Sequence, residues 1–485
     1  MTGDLARERA QLITRVIIAG YLVEVLLNLM RPHVLPNEPA LSIFQTLPGP
    51  AGSFTRLLST PRAVFWCMIA GIAIGVMIQA YVAITRPQGR RAAVLTWAML
   101  AVLLGPFTLI SLVVIALYPL VALACVPSTA FALWLLRISQ RFARLAWPVL
   151  LAAFAWGALL VFSLGRAYSG LGFGTLYGYT TGKISATDLS SFGTSMWRVL
   201  GLLIVHLSVV NELAVAAGVL LLLLLFRHRR IDTATGLVLG AAIGLGYNFV
   251  ESVIFIQIYG SLGSFLGSTG GFEYWIRQSI GLLAGQVTFG ALIGAGIGTA
   301  FQTRQRERRR LIAGAAIMTA IGGAVAAEIL SGWLSHLVQG HVTSGGALDT
   351  LVVSPLLWLL PQAPFIVLAA LLLAACWRAR GAAARAAISA EAGDGGGAIT
   401  WPEVPYLADP RLRLWTVAGT WHRHGRSAAL ALHRLQSAQL DLASWRWQQT
   451  TDPEQDPAAH EEGDVLRAKV IRLKTAAPTR LAVTS

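Results

Sequence analysis

Six ionisable side chains lie inside stretches of this sequence that are otherwise apolar: Glu24, His206, Glu212, Glu251, Glu328 and His336. At bilayer depth a charged group costs about 2.5–3.5 kcal/mol, so each needs a partner or a task. A carboxylate can act as general base on a water molecule, and carboxylates with imidazoles can hold a metal ion that activates it. Glu24 stands alone in the first apolar stretch and reads as half of a structural polar pair. His206 reads as an interhelical hydrogen bonder. Glu212 and Glu251 have richer surroundings. Asn211 precedes Glu212 in "NELAV", and Tyr247 and Asn248 lie within a turn and a half of Glu251 in "GLGYNFVESVIF".

The elements that must position these groups are membrane-crossing helices. Of 485 residues, 55% are hydrophobic and 13% charged, and the mean hydropathy is +0.63. Soluble domains carry about 25% charged residues. The expected fold is all-α, a polytopic transmembrane helical bundle of about ten spans with a cytoplasmic helical C-terminal tail. The spans fall near 12–31, 63–85, 92–115, 118–137, 146–164, 196–226, 234–258, 278–302, 311–338 and 351–377. The nearly continuous stretch 92–137 is split at Tyr118-Pro119.

Charge tests this count. With the N-terminus inside and ten crossings, "RPQGRR", "RISQRFAR", "RHRR", "RQRERRR" and "RAR" all face the cytoplasm, as the positive-inside rule asks. Loops 32–62, 165–195, 259–277 and 339–350 then lie outside. The expected location is the cell membrane, multi-pass, with both the N-terminus and the tail cytoplasmic. The net charge of +15 serves this orientation. No basic stripe with interleaved aromatics points to nucleic acid; the lipid bilayer is the expected partner. Cys67, Cys125 and Cys376 all lie in apolar segments and imply neither a disulfide framework nor a thiolate metal site.

Four regions follow: N-terminal helices and external loops (1–195), a core (196–340), a last span (341–377) and a tail (378–485). The tail opens with an Ala/Gly-rich linker ending in "GDGGG" and continues as two amphipathic helices. Its acidic "DPEQDPAAHEEGD" and final basic stretch read as disordered. His422 and His424 read as solvated residues of a Gly/Arg-rich turn.

In the core, Gly236, Gly240, Gly244 and Gly246 allow close helix approach. At 1.5 Å per residue, Glu212 lies roughly 21 Å and Glu251 roughly 25 Å from the cytoplasmic end of its helix. Both glutamates therefore fall at similar height, in the outer half of the bilayer.

The segment 196–340 resembles the PrsW-type intramembrane metalloproteases. That family carries a Glu-Glu pair (EExxK), an apolar run and basic turn, then GxGFAxxENxxY, a histidine in HxxxTxxxG, and a last histidine. Here "NELAV" matches the first motif at Glu212, with Asn211 for the first Glu and Val215 for the Lys. "GLGYNFVESVIF" matches the second at Gly244, Gly246 and Glu251. "GQVTFGALIGAGIG" looks like the third, with Gln286 in the histidine's place. The last motif can be laid on "AEILSGWLSHLVQGH" so that Ser331 takes the histidine position, or so that His336 does, five residues on and about 140° around the helix.

The resemblance implies hydrolysis of peptide bonds in membrane-anchored protein substrates by a water bound to a divalent metal, zinc in the first instance. It implies Glu251 as a ligand and Glu212 as general base, with His336 as the imidazole this chain can offer. Asn211, Tyr247, Asn248, Gln286 and Glu328 complete the candidate set, Glu328 as a replacement carboxylate. Glutamine suits hard cations better than zinc. Two other functions stay open: an inactive pseudoprotease that binds membrane proteins and recruits cytoplasmic partners, and a transporter using buried carboxylates as ion sites.

Overall fold

The computed structural model describes residues 2–33, 62–181, 189–225, 231–266, 270–338, 346–449 and 457–481. Most of the loop expected at 32–62, the "RHRR" turn and residues 339–345 lie outside these. The described helices are α1 (Thr2–Met30), α2 (Arg62–Thr85), α3 (Gly89–Leu117), α4 (Pro119–Ser139), α5 (Trp147–Ala155), α6 (Phe162–Thr181), α7 (Leu189–Leu225) and α8 (Thr233–Leu266). They continue with α9 (Gly270–Gln278), α10 (Gln286–Gln302), α11 (Arg306–Val338), α12 (Ser354–Leu359), α13 (Ala363–Gly393), α14 (Val404–Ala408), α15 (Pro410–Gln449) and α16 (Pro457–Leu481).

Ten helical segments among the described residues are long and apolar enough to cross a membrane. The protein is an all-α polytopic membrane protein, as its composition requires. The break expected in 92–137 falls at Tyr118, whose φ of −126° and ψ of 57° leave the helical region. Pro119 follows, without an N–H to continue the ladder. Large apolar side chains stay exposed on the outer spans, among them Trp66, Met77 and Leu311, where lipid can cover them.

The chain divides into two compact units, the second made of Arg137–Ala146 and the residues from Ala370 onward, together with a short piece beyond the described residues. In the first unit α8 is the central helix: 83% of its span is buried, against 22% for α1, α2 and α11. A helix apolar on all sides belongs in the middle. Its glycines make this possible. A methyl group on Gly240 would overlap the Gly290 carbonyl oxygen of α10, so the two helices cross at backbone contact. On another side α8 meets a π-helical turn, Trp156–Val161, which joins α5 to α6. Such turns disturb the carbonyl ladder, and here the Ala158 carbonyl accepts the Ser111 hydroxyl at 2.6 Å.

The α5–α6 segment runs well beyond the expected span end at 164, because the π turn and a further helix carry it to Thr181. Residues 165–181 are thus helix rather than loop.

The second unit has its own core. Phe142, Ile388, Ile399, Leu407 and Ala443 form one cluster, and Ala398, Ala438, Leu442 and Val470 form another. Two expectations for the tail are corrected here. The Ala-rich linker is helical, since α13 continues to Gly393 through a run rich in the best helix former. Residues 457–481, expected to be disordered, form α16. Leu466, Val470 and Leu473, at helical spacing, pack one face of it against the second cluster. The amphipathic pair is α15, broken at Gly425 (φ 79°). His422 and His424 lie exposed just before that break.

Candidate active site

Asn211 and Glu212 sit in the middle of α7, 2% and 0% exposed. Tyr247, Asn248 and Glu251 share one face of α8, where a spacing of three or four residues places side chains one above another. From these residues a polar chain runs across the bundle. Asn211 Nδ2 donates to Tyr247 Oη at 3.2 Å. The Tyr247 hydroxyl donates to Glu251 Oε1 at 3.2 Å. The other oxygen, Oε2, accepts Arg277 Nη1 at 3.2 Å. Arg277 Nε donates to Glu273 Oε2 at 3.1 Å, and its guanidinium lies 4.2 Å from the centre of the Phe255 ring. Glu251 is thus joined to Asn211 through Tyr247, while Glu212, next to Asn211 in the sequence, makes no hydrogen bond to this chain.

Arg277 is charged. Burial alone would lower its pKa, but the Glu251 and Glu273 carboxylates outweigh burial and raise it above the ordinary arginine value. The positive charge beside Glu251 therefore comes from within the chain.

Glu212 is in a different state. Both of its carboxylate oxygens are buried and accept no hydrogen bond. The Gln286 side chain reaches toward the carboxylate, yet Gln286 Oε1 is itself buried and unpartnered. Gln286 is the first residue of α10, so the positive end of that helix dipole lies on this side of the site. Gly285, at φ 60°, makes the turn into the helix, and its N–H donates to Gln362 Oε1 at 2.6 Å. Asn248 Nδ2 ties α8 to the same turn through the Ala284 carbonyl at 3.1 Å.

The structure therefore brings Asn211, Glu212, Tyr247, Asn248, Glu251 and Gln286 to one region. Glu328, on α11, acts electrostatically on the same group, within reach of Glu251 and Arg277, although its side chain is exposed. His336 stands apart: it is exposed near the end of α11, and no hydrogen bond among the described residues ties it to the cluster. Glu24 and His206 are each other's partner, His206 Nε2 and Glu24 Oε1 being 2.5 Å apart.

Three groups of this region were missed in the sequence. Arg277 and Glu273 fell in a stretch read as an external loop; their four-residue spacing in "FEYWIR" was the available signal. Arg166 fell just beyond the expected span end, and it lies in α6 within electrostatic reach of Tyr247.

A catalytic zinc wants about three protein ligands, commonly imidazoles with a carboxylate, and one open position. No group of three or more His, Cys, Asp or Glu residues among those described is placed to hold a metal ion. Glu251 is engaged on both oxygens, the group beside Glu212 is an amide, and His336 is elsewhere. The residues present do not fit a zinc site.

Residues 145–339 match the family described as PrsW family intramembrane metalloprotease. None of the curated proteins and none of the solved structures compared matches the chain.

Proposed function

From the premise that residues 145–339 are a PrsW-type segment, we propose that the protein hydrolyses peptide bonds of membrane-anchored polypeptides and that Glu212 is its reacting group. The observation that carries this reading is the Glu212 carboxylate, fully buried with neither oxygen bonded. An unsatisfied buried polar group costs about 1–3 kcal/mol, more when charged. Packing gains nothing from it, so the group is held for a task.

The chemistry follows from this chain's own residues. Glu212 takes a proton from a water as the water oxygen adds to the scissile carbonyl carbon. The Gln286 amide N–H and the N-terminal end of α10 face the oxyanion that develops. The C–N bond then breaks, and Glu212 returns the proton to the leaving amine nitrogen. No step passes through a metal. Glu212 is wholly enclosed, so a substrate enters only when α7, α8 and α10 part, a gating motion of the kind that often limits turnover. The Asn211–Tyr247–Glu251–Arg277 chain holds α7, α8 and α9 in register around the site. The cell membrane, with both chain ends cytoplasmic, is the location this reading takes.

The test is cleavage of a labelled single-span reporter by the full chain in liposomes. Glu212→Gln is expected to slow cleavage by at least about 100-fold, and a chelator to leave it unchanged. Undiminished cleavage by Glu212→Gln sinks the reading; loss of cleavage with chelator returns the role to a metal.

One observation favours a second reading, a non-hydrolysing protein that only holds such segments. Arg277 neutralises Glu251, the position that the family resemblance gives to a metal ligand. Capture of the reporter without cleavage, unchanged in Glu212→Gln, is the result this reading requires.

A further inference from the structure

The second unit contains a small cavity of about 80 Å³ whose walls include Arg141, Arg380, Arg413, Phe142 and Trp377. Two of these cations, Arg141 and Arg413, are poorly matched by anions among the described residues. Arg380 is 3% exposed and donates through Nη1 to the Phe142 carbonyl at 2.9 Å. The Arg141 guanidinium stacks on the Trp377 ring at 3.8 Å, on a backbone at φ 54°, where non-glycine residues are uncommon. Neither Arg141, Arg144 nor Arg413 forms an ion pair among the described residues.

Two carboxylates face the group at longer range, Asp409 toward Arg413 and Asp441 toward Arg144. They do not balance it. Burial first, and then Arg144 and Arg141 against the opposing pull of Asp409, push Arg413 down to about 10. Burial first, with Arg137 added and Asp441 opposing, also lowers Arg144. Arg141 and Arg413 thus line one cavity without an ion pair among the described residues, and Arg144 adds to the positive field on Arg413.

We propose that this cavity binds a phosphate group, presented by the headgroup of an anionic phospholipid. Guanidinium groups suit phosphate oxygens, to which they donate paired N–H bonds. One water needs only about 10–15 Å³ of such space, so the cavity, about 80 Å³, has room for a phosphate group. Position favours the lipid source. Arg141 lies two residues past Ser139, where the Pro119–Ser139 span ends, which is headgroup level. Trp377 is the kind of residue that sits there. Basic pockets at span ends recognise such headgroups.

The full chain, purified in an uncharged detergent, is titrated with a short-chain phosphatidylglycerol, with a short-chain diacylglycerol lacking phosphate, and with inorganic phosphate. Saturable binding of the phospholipid and none of the diacylglycerol is expected. The double substitution Arg141→Gln, Arg413→Gln should weaken it at least about tenfold, as the loss of a charge-assisted bond does. Arg411→Gln, exposed on the same helix, should not, and Arg413→Lys should retain part of the affinity. The double variant removes cations that repel one another, so its melting temperature should hold or rise. Competition by millimolar inorganic phosphate would support the phosphate site and assign its occupant to a soluble anion; no competition assigns it to the lipid. Equal binding by the double variant, equal weakening by Arg411→Gln, or equal binding of the diacylglycerol would overturn the proposal.

Discussion

Glu212 and Glu391 are buried to nearly the same degree, 0% and 2% exposed, and the fold treats them in opposite ways. Glu391 receives two arginines. Arg467 donates from Nε at 2.7 Å and from Nη2 at 3.2 Å, and Arg446 from Nη1 at 2.9 Å. Arg446 also pairs with Asp394. Glu212 has no such partner: neither oxygen accepts a hydrogen bond, and only the neutral Gln286 side chain reaches toward it. A carboxylate kept to tie helices together looks like Glu391, its oxygens satisfied by charge-assisted bonds from α15 and α16. Glu251 is of that kind too, held by Tyr247 and Arg277. The contrast separates two glutamates that motif spacing alone makes look equivalent.

The largest effects should come from the two ends of this contrast, with opposite sign. Glu391→Ala leaves two arginines without their shared acceptor, each still beside a more exposed carboxylate, Asp394 or Asp464, and losing hydrogen bonds to a charged group costs about 1.5–3 kcal/mol. Hydrogen exchange of the full chain should show α16 and the end of α13 opening far more often, since the loss is local to that unit. Glu212→Gln should instead hold or raise stability, by up to about 1–3 kcal/mol, because an amide replaces an unsatisfied carboxylate and can donate as well as accept. A Glu212→Gln protein as destabilised as Glu391→Ala would end the comparison, since Glu212 would then be a structural group.

Arg277→Gln comes next. It strips Glu251 of its cation while Tyr247 still donates. Glu251 is about a quarter exposed at its side chain, so the loss should be smaller than at Glu391, about 1–2 kcal/mol. It also sharpens the functional contrast. If Arg277 merely organises the site, reporter cleavage should fall by less than in Glu212→Gln, and Arg277→Lys should restore part of it. If Arg277→Gln creates stoichiometric binding of a divalent metal, Glu251 is a latent ligand that the arginine suppresses.

The sequence made the spans legible because hydropathy sums over about twenty residues, and one misplaced side chain hardly changes the sum. Pro119 and the glycines of α8 were legible for the same local reason. Glu212 and Glu251 announced themselves as carboxylates in apolar runs. What could not be read was who answers whom. Arg277 lies 26 residues from Glu251 and meets it only because α8 runs on to Leu266 and α9 follows. Arg446 and Arg467 lie 55 and 76 residues from Glu391, and nothing local in the sequence marks them as its partners. The α16 segment looked disordered because its composition is charged and its single apolar stripe needs a neighbour to cover it. His336 shows the converse. Its place in a motif suggested a ligand, and helix geometry carried it to an exposed face.

The smallest effect belongs to a carboxylate of the same unit that is only partly covered. Glu403 Oε2 accepts Lys474 Nζ at 2.7 Å and the Thr400 backbone N–H at 2.8 Å, with about a third of its side chain exposed. Partial burial opposes its ionisation. The Lys474 and Thr400 hydrogen bonds outweigh that and bring its pKa below the ordinary glutamate value. A carboxyl whose folded pKa is depressed stabilises the fold above its unfolded pKa, near about 4.3, and that contribution is lost as pH falls through the lower folded value. Exposed pairs are worth about 1 kcal/mol or less. Exchange protection at the Lys474 turn should therefore be flat from neutral pH down to about 5 and weaken slightly below it. In Lys474→Met the acid-side weakening should shrink, while the Glu391 cluster still holds α16 in place. A collapse of α16 in that variant would mean that the exposed pair, and not the buried one, anchors the tail.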